Sequence, residues 1–150
     1  MSHVTTSCPL CDTLNRVDLA GLGDGPRCVG CGQPLLLDRA QPIPGEALDR
    51  VIAEAEAPLL IDFSADWCGP CRIMAPVLDE FARYRAGEVL VGKLDTDRYP
   101  YAAVRFKVRG IPTLIAFAGG REVARQVGAV PRSGLDALLE AVGEALKPSA

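Results

Sequence analysis

Pro58-Leu59-Leu60-Ile61-Asp62-Phe63-Ser64-Ala65-Asp66-Trp67-Cys68-Gly69-Pro70-Cys71 is the stretch whose reading decides the fold. It begins as an apolar run of strand length and ends in two thiols two residues apart, with a proline where a helix can start. The first turn of a helix leaves backbone N–H groups unpaired and carries a partial positive charge, so it favours an anion. A cysteine there is a better acid than a free thiol, and the thiolate is the reactive form. Cys68 therefore reads as an attacking sulfur, partly exposed in the first turn. Cys71, three residues on, returns to the same helix face as a resolving thiol. Gly69 leaves space for a substrate backbone, and Pro70 is tolerated in a first helical turn. The alternative is a pair of half-buried structural cysteines.

Helix and strand patterns alternate on both sides of this stretch. Leu48, Val51, Ile52 and Ala55 recur at helical spacing, and Met74, Val77, Leu78 and Phe81 put an apolar stripe on the helix after the dithiol. Pro76 falls inside that helix and is expected to kink it. Val89–Leu94 reads as a strand and Ala102–Phe106 as a short helix. Thr113–Ala118 and Glu122–Val127 read as a hairpin turning at Gly119-Gly120. Leu135, Leu138, Leu139, Val142 and Leu146 mark a last amphipathic helix, with Ser133 and Asp136 as its capping pair. The Pro-bearing segment Asp38–Gly45 reads as a linker with room for a short edge strand. The expected class is α/β, a mixed central sheet flanked by helices. In such sheets a site lies outside the carboxyl ends of the parallel strands, which is where the dithiol falls.

All six cysteines belong to C-x-x-C pairs. Cys8/Cys11 and Cys28/Cys31 are separated by 16 residues, inside the window of a four-thiolate metal site. A closed tetrathiolate holding one Zn²⁺ is expected, with two local disulfides or free thiols as the alternatives. The pair at 68 and 71 has no second pair downstream and is left for redox chemistry. Residues 1–37 are thus a small, turn-rich, zinc-ribbon-like module, too short for a core of its own and dependent on metal for folding energy, and 38–150 the main domain. His3 is the only histidine and reads as a disordered tail residue rather than a fifth ligand.

Composition narrows the function. The 150 residues are 49% apolar with a net charge of −3, which supports a core and argues against nucleic acid or an anionic membrane as partner. Residues 1–40 carry three arginines against four aspartates, and thiolates add more negative charge, the wrong sign for binding phosphates. There is no apolar run of transmembrane length, and Met1-Ser2-His3-Val4-Thr5-Thr6 lacks a basic, apolar leader. A cytoplasmic location is expected, and in a reducing compartment C-x-x-C pairs are metal sites or catalytic dithiols.

Asp62 interrupts an apolar strand run. Burial would raise its pKa and suit it to shuttling a proton to and from Cys71; a solvated strand-end Asp is the alternative. Lys93, on the next strand, is its candidate partner or an exposed strand lysine. Trp67, the only tryptophan, reads as a half-exposed wall of the site. Asp95 and Asp97 read as a solvated turn. From the bare sequence the Ile111–Pro112 bond is better taken as trans.

The run Asp62-Phe63-Ser64-Ala65-Asp66-Trp67-Cys68-Gly69-Pro70-Cys71-Arg72 resembles the active-site stretch of the thioredoxin family. Gly110-Ile111-Pro112-Thr113 resembles its cis-proline loop, and Val127-Gly128-Ala129 its glycine loop beside the site. The resemblance covers residues 40–150, and the four upstream cysteines make the chain similar to the zinc-bearing thioredoxin 2 type. It implies a thioredoxin fold and a protein-disulfide reductase, with Cys68 as nucleophile, Cys71 as resolving thiol, Asp62 as buried acid and Lys93 as its partner. It implies a cis bond at Pro112, an extended substrate held by Ile111, oxidised proteins as substrates and an NADPH-dependent thioredoxin reductase as partner. A monomer without an organic cofactor is expected. Ser64 departs from the family, which usually has a large aromatic there. Rival readings are a disulfide oxidase or isomerase, which needs an oxidising compartment, and a zinc-thiolate redox sensor or redox-switched client-binding module.

Overall fold

The computed structural model describes residues 2–146 of the chain; Met1 and residues 147–150, and the side chain of Leu146, lie outside the described residues. Two sheets are present. The first is a hairpin of β1 (His3–Ser7) and β2 (Leu14–Asp18). The second has five strands, β3 (Gln41–Pro42), β4 (Leu59–Ser64), β5 (Leu90–Asp95), β6 (Thr113–Ala118) and β7 (Arg121–Val127), in the order β3-β5-β4-β6-β7. β3, β5 and β4 run parallel, while β6 and β7 are antiparallel additions. β3 is the edge strand for which the linker left room. Its proline is tolerated because an edge strand has a free hydrogen-bonding side.

The central position of β4 explains its composition. Leu59, Ile61 and Phe63 enter the core on the face of α1 (Leu48–Glu54), while Leu60 packs among Met74, Leu78 and Phe81 of α2 (Gly69–Tyr84) and Leu135 and Leu138 of α4 (Arg132–Leu146). Alternation puts Asp62 and Ser64 on the Leu60 face, under α2. On β5, Leu90 and Leu94 belong to the α1 face and Val91 to the α2 face, so Lys93 shares the side of Asp62. A short helix, α3 (Pro100–Arg105), follows β5. Gly119 and Gly120, with φ of 62° and 81°, supply the positive-φ pair of the β6–β7 turn.

α2 is one continuous helical segment with Pro76 inside it. Two expectations need correction. α4 begins at Arg132, so Ser133 sits inside the first turn, and Asp136 accepts a hydrogen bond from Arg85 at 3.1 Å instead of capping. His3 is no loose tail: it lies in β1, where its backbone N–H and ring contact Glu56.

The N-terminal hairpin is docked. Val4, Val17, Leu19, Leu35 and Leu37 join the core cluster containing Val51, Ile61 and Phe117. Thr5 donates to Glu54 at 2.9 Å, Arg16 pairs with Glu56 at 3.0 Å, and the Glu56 N–H donates to the His3 carbonyl at 2.8 Å. The short module thus borrows apolar partners from the larger sheet.

Candidate functional site

The dithiol sits at the carboxyl end of central strand β4. Cys68 is the N-cap of α2, and its Sγ accepts from the Cys71 backbone N–H at 3.2 Å, one of the orphan donors of the first turn. The two cysteines are disulfide-bonded, with Cα atoms 5.2 Å apart. Cys68 is only 4% exposed, less than the partial exposure expected of it, because its sulfur is covered by the bond to Cys71 and lies 3.8 Å from the Ile111 carbonyl oxygen. Trp67 is more open than expected, at 68% exposure. Gly69 and Pro70 are exposed, and a Cβ at Gly69 would meet no atom within 4 Å, so the space above the disulfide is open.

The Ile111–Pro112 bond is cis, as the resemblance implied and the bare sequence did not. The Pro112 carbonyl accepts from the Gly128 N–H at 2.8 Å, and Gly128 takes φ of 93°. This tie brings the residues at 111–112 and 127–128 together beside Cys68. Arg72 holds the lead-in loop by donating to the Asp66 carbonyl at 2.7 Å.

Asp62 is 1% exposed, and its Oδ1 has no hydrogen-bond partner among the described residues. Burial pushes its carboxyl up to about 6, opposed by the charge of Lys93 and by hydrogen bonding from Ser64. Lys93 is its register partner on β5 and is half-buried. Asp62, Ser64, Cys71 and Lys93 line a cleft of about 580 Å³, together with Pro9 and Asp12 of the N-terminal hairpin.

The sign of the Asp62 effect on stability follows from the shift. The folded carboxyl holds its proton more tightly than the unfolded one, from an ordinary 3.8 up to about 6. Stability therefore falls as pH rises through this window, and the full penalty is felt above it. Asp62→Asn is expected to raise the unfolding free energy at pH 8 by about 3 kcal/mol and to change it little at pH 3.5. Urea unfolding of the oxidised protein at both pH values checks this; equal effects at the two would reject ionisation of Asp62 as the cause.

The second cluster is the four upstream cysteines. None of the four is disulfide-bonded, so the local-disulfide alternative is not what the structure holds. Their sulfurs all lie within 4.8 Å of one another, with Cys8–Cys31 at 3.7 Å and Cys11–Cys28 at 3.6 Å. Four thiolates at about 2.3 Å from a tetrahedral ion stand about 3.8 Å apart, so the set can hold a metal. The two knuckles repeat one geometry. Asp12 N–H donates to the Cys8 carbonyl and Gly32 N–H to the Cys28 carbonyl, both at 2.9 Å, and both residues have positive φ, 62° and 77°. Backbone N–H groups of Leu10 and Gly30 point at the Cys8 and Cys28 sulfurs, at 3.4 and 3.3 Å, which suits thiolates.

Sequence reading missed Asn15. Buried in β2, it donates to Cys28 Sγ at 3.4 Å and accepts from the Val29 N–H at 2.8 Å, tying the second knuckle to the hairpin. The available signal was an amide on the inward face of a strand directly after a C-x-x-C pair.

The thioredoxin family model matches residues 40–141. The chain belongs to the thioredoxin family. It is 48% identical to the thioredoxin of Synechocystis sp. over 89 residues, 59% of this chain and 83% of that one. It is 49% identical to the thioredoxin of Alicyclobacillus acidocaldarius over 86 residues, 57% of this chain and 82% of that one. A solved mutant thioredoxin from Halobacterium salinarum superposes with a TM-score of 0.66 at 36% identity, covering 76% of this chain and 98% of that one. The fold and the activity follow: this thioredoxin-fold chain is a thiol–disulfide oxidoreductase. Residues 2–39, with the four upstream cysteines, lie before the family match. No helix of the described residues is long and apolar enough to cross a membrane.

Proposed function

We propose that the chain is a cytoplasmic protein-disulfide reductase working through Cys68 and Cys71. The observation that carries this is Cys68 at the N-cap of α2, where its sulfur takes a backbone N–H of the first turn. In the reduced protein this position favours the Cys68 thiolate. That thiolate attacks one sulfur of a substrate disulfide; the new bond joins Cys68 to the substrate, and the other substrate sulfur leaves as a thiolate. Asp62 carboxylate takes the Cys71 proton. Cys71 then attacks Cys68 Sγ, closing the 68–71 disulfide and releasing the second substrate thiolate. Two electrons pass to the substrate, whose thiolates take up two protons.

Trp67, Gly69, Pro70, Ile111, Pro112 and Gly128 form the substrate-facing surface in this reading, with the Ile111 backbone available to an extended chain. Lys93 moderates the charge of Asp62. A reductase drawing on NADPH returns the dithiol, and no organic cofactor is required. The protein acts as a monomer of two parts, residues 1–37 around the metal and 38–150 around the dithiol. Cys8, Cys11, Cys28 and Cys31 hold one Zn²⁺, which suits an all-sulfur tetrahedral donor set and supplies structure rather than redox chemistry.

The experiment is insulin reduction with dithiothreitol as electron donor. Wild type is expected to accelerate it many-fold, and acceleration that survives loss of both Cys68 and Cys71 would end the reading. A second reading, a thiolate sensor, draws support from the exposure of Cys11 and Cys31. It predicts zinc release by peroxide at doses that oxidise the 68–71 dithiol, scored with a chromogenic chelator; zinc retained through full oxidation of that dithiol counts against it.

A further inference from the structure

The loop that carries Ile111 is fastened to β7 at both ends. At its far end the Gly128 N–H donates to the Pro112 carbonyl at 2.8 Å, and the Thr113 hydroxyl donates back to the Gly110 carbonyl. At its near end the chain leaves α3 through Lys107, whose φ of 55° lies in the left-handed region. The Lys107 N–H donates to the Val104 carbonyl at 3.1 Å and the Val108 N–H to the Ala103 carbonyl at 2.8 Å. This is the bonding of a helix end that ordinarily places glycine where Lys107 stands. A lysine carries a Cβ and avoids that conformation unless something holds it there.

We propose that Arg125 of β7 is a positioning residue for protein substrates, holding Lys107 left-handed and so fixing where the Ile111 backbone stands beside Cys68. It touches neither substrate nor sulfur, and the inference rests on the reading that Ile111 offers its backbone to an extended chain. Arg125 Nη2 donates to the Phe106 carbonyl at 2.8 Å, and Nη1 reaches the Lys107 carbonyl at 3.5 Å. Those carbonyls belong to the two peptide units that flank the Lys107 Cα. The orientation of the first sets φ of Lys107 and that of the second sets ψ, so one guanidinium constrains both. The guanidinium is itself locked, because Nε and Nη2 donate to the two carboxylate oxygens of Glu122 at 2.7 and 2.6 Å. Arg125 stands opposite Ile115 in the β6–β7 register, so the anchor belongs to the main sheet.

The geometry runs from this anchor to the reactive sulfur. The Phe106 ring packs with Phe63 and Phe117, centroids 5.7 and 5.6 Å apart, which fixes where the loop begins. Arg125 fixes the direction in which it leaves. Four residues beyond Lys107, the Ile111 carbonyl lies 3.8 Å from Cys68 Sγ. Without the guanidinium, Lys107 is free to return to a negative φ, and the loop presents Ile111 correctly in only part of the population. An extended peptide then binds more weakly by that fraction, while a disulfide without a peptide backbone loses nothing. Lysine is no substitute for Arg125, since a single ammonium lacks the planar fork that meets two carbonyls and a carboxylate together.

Arg125→Met tests the proposal, keeping the stem and removing the donors. Reduced protein is mixed with excess disulfide, and closure of the 68–71 bond is followed by the fluorescence of Trp67, the only tryptophan. The two substrates are an extended peptide whose single cysteine is joined to mercaptoethanol, and hydroxyethyl disulfide. In Arg125→Met the half-saturating peptide concentration is expected to rise about fivefold. The maximal rate with peptide, and the rate with hydroxyethyl disulfide, are expected to stay within about twofold of wild type. Arg125→Lys is expected to recover only part of the affinity. Lys107→Gly takes a left-handed φ without a Cβ, so adding it to Arg125→Met is expected to restore most of what was lost. Unchanged peptide affinity, an equal loss with both disulfides, a fall in the maximal rate alone, or no restoration by Lys107→Gly would each overturn the positioning role. Should Arg125→Met fail to fold, Glu122→Gln loosens the guanidinium and carries the same comparison with a smaller shift. Wild type oxidised by neither disulfide would instead remove the reductase reading, and this inference with it.

Discussion

Cys68→Ser is expected to lower insulin disulfide reduction by at least about a thousandfold, to the rate with dithiothreitol alone. Serine at the N-cap accepts the same backbone hydrogen bond and preserves α2, so the loss cannot be a folding defect. What disappears is the thiolate, for which a neutral hydroxyl is no substitute at pH 7. Cys71→Ser is the informative companion. It retains the attacking sulfur but cannot close the 68–71 disulfide, so it is expected to accumulate a stable mixed disulfide with substrate, visible as a mass increase reversed by reductant. Turnover in Cys68→Ser, or attachment of substrate at residue 71 in that variant, would reverse the roles of the two sulfurs.

Stripping metal from the reduced protein is the second large perturbation. Structural zinc contributes about 10–16 kcal/mol of apparent binding free energy in small four-ligand domains, and that free energy is folding free energy. One zinc per chain is expected from elemental analysis. On chelation, amides of the two knuckles, such as the Cys8 and Cys28 N–H groups bonded to the Thr13 and Gln33 carbonyls at 2.9 Å, are expected to lose hydrogen-exchange protection. The β4–β5–β6 amides are expected to keep theirs, because that sheet's core packs α2 and α4 without help from the thiolates. Cys28→Ser should reproduce the effect without chelator. Knuckle amides equally protected before and after metal removal would mean that packing against α1 alone holds the module.

Much of the architecture is legible from the chain. β4, β6 and the dithiol helix are read from runs and stripes whose periods are local properties. Cys8, Cys11, Cys28 and Cys31 are legible as a metal set because the C-x-x-C spacing brings each pair of sulfurs to one knuckle. Four features are not legible. Cys68 is closed off in the disulfide form by the Ile111 carbonyl, a contact across 43 residues of chain. His3 is ordered by Glu56, a partner 53 residues away. Ser133 and Asp136 match a capping pattern, but Arg85 of the turn after α2 competes for Asp136 and wins. Asn15 supports Cys28 from β2, which spacing alone does not reveal. In each case the deciding contact joins residues far apart in the chain.

The chain by itself determined the alternation of strands and helices, the reactive pair at a helix start and the grouping of four thiols, because each depends on residues within a few positions of one another. Only the tertiary structure decided that Pro9 and Asp12 of the N-terminal hairpin line the same cleft as Asp62 and Cys71. That arrangement comes from burying Val4, Val17, Leu35 and Leu37 against the core beside α1. Apolar burial is non-directional, so no local pattern specifies which surface of the main domain the hairpin covers.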